Sequence, residues 1–294
     1  MITSTSNPRV VAARKLCQRK HRSRQNRFMI EGLQLLRMAM EQRSVPAWSQ
    51  KIRPCELFYC RDRLRGKMAD ELIDAYVAAG AEALAVSGEV IDALSSRDAS
   101  QGAAATLDLG VAAWALAEID KLATAAETPK LMLILDRPRN PGNVGTLIRT
   151  ADAVGASAIV AVEPCVDLCD PGVIRSSMGS LFSIPVVRSS DPAELGRWLK
   201  GNAYRFIGAD GKARRTAWDA GVFDAPIALA LGNEADGLSD GIRRELEGYV
   251  RLPMQGRAES LNVAVTGGIL MYEWLRIHWL ALVETETSEC PRDG

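Results

Sequence analysis

The run L-I-L-D-R-P-R-N-P-G-N-V-G-T-L-I-R-T-A-D-A, Leu133 to Ala153, decides the fold. With Leu131 and Met132 before it, it opens on a short continuous apolar stretch of the kind buried on both faces of a parallel sheet. A polar turn follows, and then apolar residues at helical spacing from about Val144 to Val154. Strand, tight polar turn and helix together make the half-unit of an α/β fold. Two further apolar runs exit in a similar way. I-A-L-A-L-G-N-E-A-D-G-L-S covers Ile227 to Ser239, and V-R-L-P-M-Q-G-R-A-E-S-L-N-V-A-V covers Val250 to Val265. The exits are rich in Gly, Asn and Ser, with no Cys/His metal set and no Ser/His/Asp triad. Such loops suit a ligand that brings its own chemistry.

Outward from these motifs the chain alternates. Strands are expected at Ala158–Val162, near Val186-Val187, and at Arg205–Ala209, Ile227–Leu231 and Tyr249–Leu252. Asp191 caps a helix with Pro192 in its first position and Glu194 completing a capping-box-like pattern. A long apolar helix is expected from Asn262 to Ala281, carrying Met271, Trp274, Ile277 and Leu280 as core or as an interface. Toward the N-terminus, helices at Pro8–Lys20, Leu33–Met40, Asp70–Ala79 and Glu89–Leu94 interleave with strands at Phe28–Ile30, Leu57–Cys60, Ala83–Val86 and Ala103–Leu109. An Ala-rich helix from Val111 to Thr128, closed by Pro129, separates the two parts. The expected organisation is an N-terminal α/β domain over 1–110, a linker helix over 111–129, a parallel-sheet domain over 130–283 and a flexible tail over 284–294.

The length, 294 residues, supports substantial cores. Apolar content of 47% and charge of 24% are those of a globular protein. No apolar run is long enough to span a bilayer and no apolar leader follows Met1, so no membrane association and a cytoplasmic location are expected. The six cysteines form no C-x-x-C pair, and no metal is expected. The net charge of zero hides an asymmetry: between Arg9 and Lys67 there are sixteen Lys/Arg and four Asp/Glu. The cations are densest from Arg14 to Arg27. Like charges at this density favour an anionic partner, because neutralised phosphates release counterions. Arg22, Arg24 and Arg27 are the expected contacts to RNA or DNA.

Two nucleotide motifs fail. The phosphate loop needs a Lys after its second Gly, and G-x-G-x-x-G is absent after Leu135. What remains follows the rule that ligands of open parallel sheets sit beyond the carboxyl ends of strands. Gly232, Leu252-Pro253-Met254 and Ser260-Leu261-Asn262 all stand just past a strand or at a helix start. Their backbone groups are suited to read an adenine edge, and Leu252, Met254 and Leu261 to wall the base.

At these residues the chain resembles the SpoU (TrmH-type) family, within the SPOUT class of RNA methyltransferases. N-x-G-x-x-x-R matches Asn143, Gly145 and Arg149. G-N-E-x-x-G matches Gly232, Asn233, Glu234 and Gly237, with Ala235 where many relatives have a further glycine. P-M-x-G-x-x-x-S-L-N matches Pro253, Met254, Gly256, Ser260, Leu261 and Asn262. R-S-S-M-G-S, Arg175 to Ser180, is similar to a further family segment. S-N-P-R-V, F-M-I-E-G, G-E-V-I-D-A-L-S-S and Q-G-A-A-A resemble a substrate-binding domain found in many members. The resemblance covers roughly residues 4 to 280. It implies methyl transfer from S-adenosylmethionine to a ribose 2′-hydroxyl of RNA, with large-subunit ribosomal RNA favoured. Transfer RNA, base methylation and a non-catalytic RNA-binding or ribosome-assembly role are the alternatives. It implies a deep trefoil knot and a homodimer whose sites are completed across the interface. It also implies that Arg149 activates the acceptor, with Asn143, Glu234, Ser260 and Asn262 in support. Leu231, Gly232, Asn233, Leu252, Pro253, Met254 and Leu261 would hold the cofactor.

Overall fold

A computed structural model of the chain describes residues 1–95, 100–122, 130–224 and 226–289. Two units separate: Met1–Ala113 with Asp167–Ser183, and Trp114–Val166 with Ile184–Gly294.

In the first unit, α1 (Pro8–Lys15) and α2 (Arg19–Gln25) precede β1 (Arg27–Glu31), α3 (Leu33–Arg43) and α4 (Pro46–Ser49). Then come β2 (Pro54–Tyr59), α5 (Lys67–Ala78), β3 (Glu82–Ala85), α6 (Gly88–Leu94) and β4 (Ala103–Asp108). The expected single helix Pro8–Lys20 is two, because the chain turns at Leu16–Gln18 before α2 begins. Asn7 accepts from Arg9 N and Pro8 occupies the first turn of α1, the arrangement a helix start favours. The four strands lie in the order β1-β4-β2-β3, antiparallel except for the parallel pair β2/β3. One side of the core joins Val10, Ala13, Phe58, Val86, Val90, Ile91 and Ala104. On α5 the buried residues Ala69, Leu72, Ile73 and Tyr76 recur at helical spacing, and the Tyr76 hydroxyl donates to the Leu36 carbonyl at 3.2 Å.

The expected linker helix is shorter than its Ala-rich composition predicts. A 3-10 turn covers Leu109–Ala112, Trp114 bridges in parallel to Val187, and α7 (Leu116–Leu122) follows. The rest of that expectation, 123–129, lies outside the described residues.

The second unit continues with β5 (Leu131–Asp136), α8 (Pro141–Ala153) and β6 (Ala158–Val162). Helix α9 (Pro171–Ser177), on a stretch between expected strands where no helix was expected, belongs to the first unit. Next come β7 (Val186–Ser189), α10 (Pro192–Gly201), β8 (Arg205–Ala209), β9 (Ile227–Leu231), α11 (Asp240–Glu245), β10 (Gly248–Val250) and α12 (Val263–Glu289). The six strands are all parallel, in the order β10-β8-β9-β5-β6-β7. β5, β6 and β9 are buried along their whole length, as continuous apolar runs require. From β5 the chain proceeds to β6 and β7 on one side; from β9 it proceeds to β10 on the other. The carboxyl ends of β5 and β9 therefore flank a topological switch point, where such sheets hold ligands. Helix α12 extends to Glu289, so residues 284–289, expected as tail, are helical. Residues 290–294 lie outside the described residues. Of the apolar stripe expected on α12, Met271 and Trp274 are buried and Ile277 is exposed; the Leu280 side chain is outside the description.

Candidate active site

The first loop is shaped by its polar residues. β5 ends in Asp136, a buried carboxylate whose Oδ2 accepts from the Ser239 backbone N–H. Arg137 adopts the left-handed conformation, with φ 53°. Asn140 then caps α8, its Oδ1 accepting from Asn143 N at 3.1 Å, and Pro141 takes the first helical position. Val144, Gly145, Leu147, Ile148 and Ala151 face inward on α8.

The second loop folds back on itself after β9. Asn233 and Gly237 exchange backbone hydrogen bonds at 3.0 and 2.9 Å. Asn233 Oδ1 accepts from the backbone N–H of Ala235 and Asp236, and its Nδ2 donates to the Arg137 carbonyl at 2.8 Å. Arg137 Nη2 returns a bond to the Gly237 carbonyl at 3.2 Å. The first and second loops are thereby latched. Gly232 is required here: a Cβ would sit 2.3 Å from the Gly237 carbonyl carbon. Gly237 adopts φ 67°, whereas Ala235 is not among the residues with positive φ. The alanine that departs from the family pattern therefore carries no backbone strain.

The third loop runs from Arg251 to Asn262. Asn262 Oδ1 caps α12, accepting from Ala264 N at 2.8 Å. Its Nδ2 donates to Asn143 Oδ1 at 3.1 Å, and Asn143 Nδ2 donates to Glu234 Oε1 at 2.9 Å. One side-chain relay thus joins all three loops. Gly267 lets α12 lie against α8 and β9, since a Cβ there would come within 2.5 Å of Leu147 and 2.6 Å of Leu231.

Between the second and third loops lies a cavity of about 460 Å³, within the size range of small-molecule sites. Of the residues expected to hold a cofactor, Leu231, Gly232, Asn233, Leu252, Met254 and Leu261 line it; Pro253 does not. Glu234, Ser260 and Asn262 line it as well. Asn143 stands beside it, tied to Glu234 and Asn262. Arg149 lies outside the lining, exposed on α8 six residues beyond Asn143, about 9 Å along the axis. Its side chain makes no hydrogen bond or ion pair among the described residues. Sequence reasoning missed Asp210, Gly211, Arg251 and Glu259, which also line the cavity. Asp210 and Gly211 follow β8, so the strand-exit rule applied to every strand would have found them. The volume, the apolar wall of Leu252, Met254 and Leu261, and the carboxylates Asp210, Glu234 and Glu259 fit a cationic adenosyl ligand. Among the described residues no group of three or more His, Cys, Asp or Glu is placed to hold a metal. No helix among them is long and apolar enough to cross a membrane.

The basic N-terminal expectation needs correction at one residue. Arg22 is only 1% exposed. Its Nε and Nη2 donate to Asp167 at 2.7 Å and Asp170 at 3.2 Å, and its Nη1 to the carbonyls of Leu16 and Cys17, both at 2.9 Å. It therefore fastens Asp167–Asp170 within the first unit and is not available to a phosphate. Arg27 is half-buried beside Glu56, at 3.3 Å, and Arg24 is exposed.

A model of the SpoU rRNA methylase family matches residues 130–272, and one of an MRM3-like substrate-binding domain matches 7–105. The 23S rRNA (guanosine(2553)-2′-O)-methyltransferase RlmP of Bacillus subtilis is 31% identical over 277 residues, 92% of this chain and 97% of that protein. The chain belongs to the SpoU rRNA methylase family. Among solved structures, an rRNA methyltransferase from Sinorhizobium meliloti with bound AdoMet superposes with a TM-score of 0.81 at 31% identity. The match covers 94% of this chain and 97% of that one. The SpoU methyltransferase AviRb from Streptomyces viridochromogenes, in complex with AdoMet, gives 0.76 at 29%, over 92% of this chain and 98% of AviRb.

Proposed function

We propose that the chain transfers a methyl group from S-adenosylmethionine to a ribose 2′-hydroxyl of large-subunit ribosomal RNA. The observation that carries this is the Glu234–Asn143–Asn262 relay at the edge of the cavity, in a chain whose full-length relative RlmP is named for that reaction. Transfer RNA is the less favoured substrate, and an intact set of Asn143, Arg149, Glu234, Ser260 and Asn262 speaks against a non-catalytic factor. S-adenosylmethionine, when bound, supplies an already activated methyl group, so the protein's task is orientation and charge stabilisation. Leu231, Gly232, Asn233, Leu252, Met254 and Leu261, which line the cavity, would hold it. Arg149 carries donors and no acceptor, so it stabilises negative charge developing on the 2′-oxygen instead of taking the proton. Asn143, held between Glu234 and Asn262, positions the ribose at the first turn of α8, and Ser260 orients it from the third loop.

Residues 1–110 act as the RNA-binding domain and 111–129 as a linker to the catalytic domain over 130–283. A trefoil knot is supported by β9 entering between β5 and β8 before α12 packs back over β9. A homodimer is supported by the exposed apolar face of α12. A ribosomal RNA substrate supports a cytoplasmic location.

The test supplies protein-free large-subunit rRNA and methyl-labelled S-adenosylmethionine, then digests the RNA to nucleosides. The label is expected on ribose. Arg149→Ala is expected to reduce transfer at least about a hundredfold with cofactor affinity, read by calorimetry, unchanged. Label on a base, or full activity of Arg149→Ala, contradicts the mechanism.

A further inference from the structure

Strand β8 leaves the sheet through Ala209, Asp210 and Gly211, all at the cavity wall. The chain that follows, Gly211-Lys-Ala-Arg-Arg-Thr-Ala-Trp-Asp-Ala-Gly221, belongs to none of the three motifs. Lys212, Arg214 and Arg215 are exposed there. Trp218 is 64% exposed, more than Tyr272 or Trp279, and has no ring or cation contact among the described residues. An indole left in water forgoes a large apolar burial.

The backbone on both sides of Trp218 is fixed. Arg251 N donates to the Arg215 carbonyl at 3.0 Å, and Ala217 N donates to the Arg251 carbonyl at 2.9 Å. Ala217 itself is buried. On the other side, Asp219 Oδ2 accepts from Thr216 N at 2.9 Å and Oδ1 from the Thr216 hydroxyl at 2.8 Å. These bonds, the hydroxyl first, hold the Asp219 carboxyl below its ordinary value of 3.8. Arg215 Nη2 closes the loop on the Ala220 carbonyl at 2.7 Å. Arg251 lines the cavity, so Trp218 stands one residue from a backbone tied to the cavity rim. The loop's one carboxylate has both oxygens engaged by Thr216, while Lys212 and Arg214 have no hydrogen bond or ion pair from their side chains among the described residues.

We propose that Trp218, flanked by Lys212 and Arg214, is a stacking platform for an unpaired base of the substrate RNA, beside the methyl-donor cavity. This rests on the reading of the chain as an RNA methyltransferase. Stacking on an aromatic face needs no particular base and is available only where the strand is unpaired, because A-form duplex buries its base faces. The two cations match the phosphates on either side of a splayed nucleotide. A pre-set ring loses little freedom on binding, so its contact is expressed in affinity.

The experiment measures binding of fluorescein-labelled dodecauridylate to the full chain by anisotropy, with label transfer to protein-free large-subunit rRNA followed in parallel. Trp218→Ala is expected to weaken oligonucleotide binding about tenfold or more, and Trp218→Phe to restore most of it. The double variant Lys212→Gln/Arg214→Gln is expected to bind more weakly and with a shallower salt dependence. Cofactor affinity is expected to stay the same in all three. Wild-type affinity in Trp218→Ala, or no oligonucleotide binding by the wild type at low salt, overturns the platform. So does a change from dimer to monomer in Trp218→Ala with RNA affinity unchanged, which would give the ring to a second copy. Methyl transfer by a chain whose RNA binding ignores Trp218 sinks the platform alone. Trp218-dependent RNA binding without any transfer sinks the proposed activity alone.

Discussion

The Arg22 side chain donates four hydrogen bonds inside the first unit, whereas the exposed Arg149 side chain donates none among the described residues. By charge count alone the two are equivalent. Arg22 is committed because its carboxylate partners lie 145 and 148 residues further along the chain, a separation no local pattern reveals. Removing it takes away the guanidinium that Asp167 and Asp170 both bind, and Asp167 is largely buried. Arg22→Ala is therefore expected to lower stability by about 3–5 kcal/mol, the range for breaking a buried ion pair. Arg24→Ala is expected to change it by less than about 0.5 kcal/mol. Urea denaturation of both variants checks this, and equal midpoints would show that Arg22 is not structural. Arg149 was singled out by a local pattern, N-x-G-x-x-x-R, whose spacing on one helix is the kind of information a sequence carries.

Among the elements, the strands that build the site were the easiest to read. β5 and β9 are continuous apolar runs, and burial on both faces demands that composition. Helices α9 and α11, of seven and six residues, were missed because two turns are too short for periodicity to stand out. The loops were legible as candidate sites but not as a linked structure. Their latch depends on Arg137, Asn233 and Gly237 meeting across some hundred residues of chain. Gly232 tests the latch. Its hydrogen faces the Gly237 and Leu238 backbone, which cannot give way as a flexible side chain would. Gly232→Ala is expected to reduce S-adenosylmethionine affinity at least tenfold, since the loop must shift out of the wall of the cavity. Helix and strand content by circular dichroism is expected to remain. Unchanged affinity would mean that the close approach is dispensable.

For the whole molecule, α12 carries both a site-facing side and an exposed apolar side. Its inner face carries Gly267, Leu270, Met271 and Trp274, while Val265, Ile269, Tyr272 and Trp279 recur at helical spacing on an exposed face. An apolar stripe of this kind on a surface helix is the composition of an interface between copies. Tyr272→Glu would place a charge at its middle. Sedimentation is expected to show a dimer for the wild type and a shift to monomer for the variant; a monomeric wild type would remove the proposed role of this face.

The amino-acid sequence by itself determined which stretches are buried strands, where the chain turns after each, and which polar residues those turns present. These follow from hydrophobic run length, turn chemistry and capping, all local quantities. Tertiary structure alone decided that Glu234, Asn143 and Asn262 form one relay, that Arg22 serves Asp167 and Asp170, and that Trp218 is held outward beside Arg251. Each of these depends on where distant segments meet, because hydrogen bonds and burial act through space and leave no periodic trace along the chain.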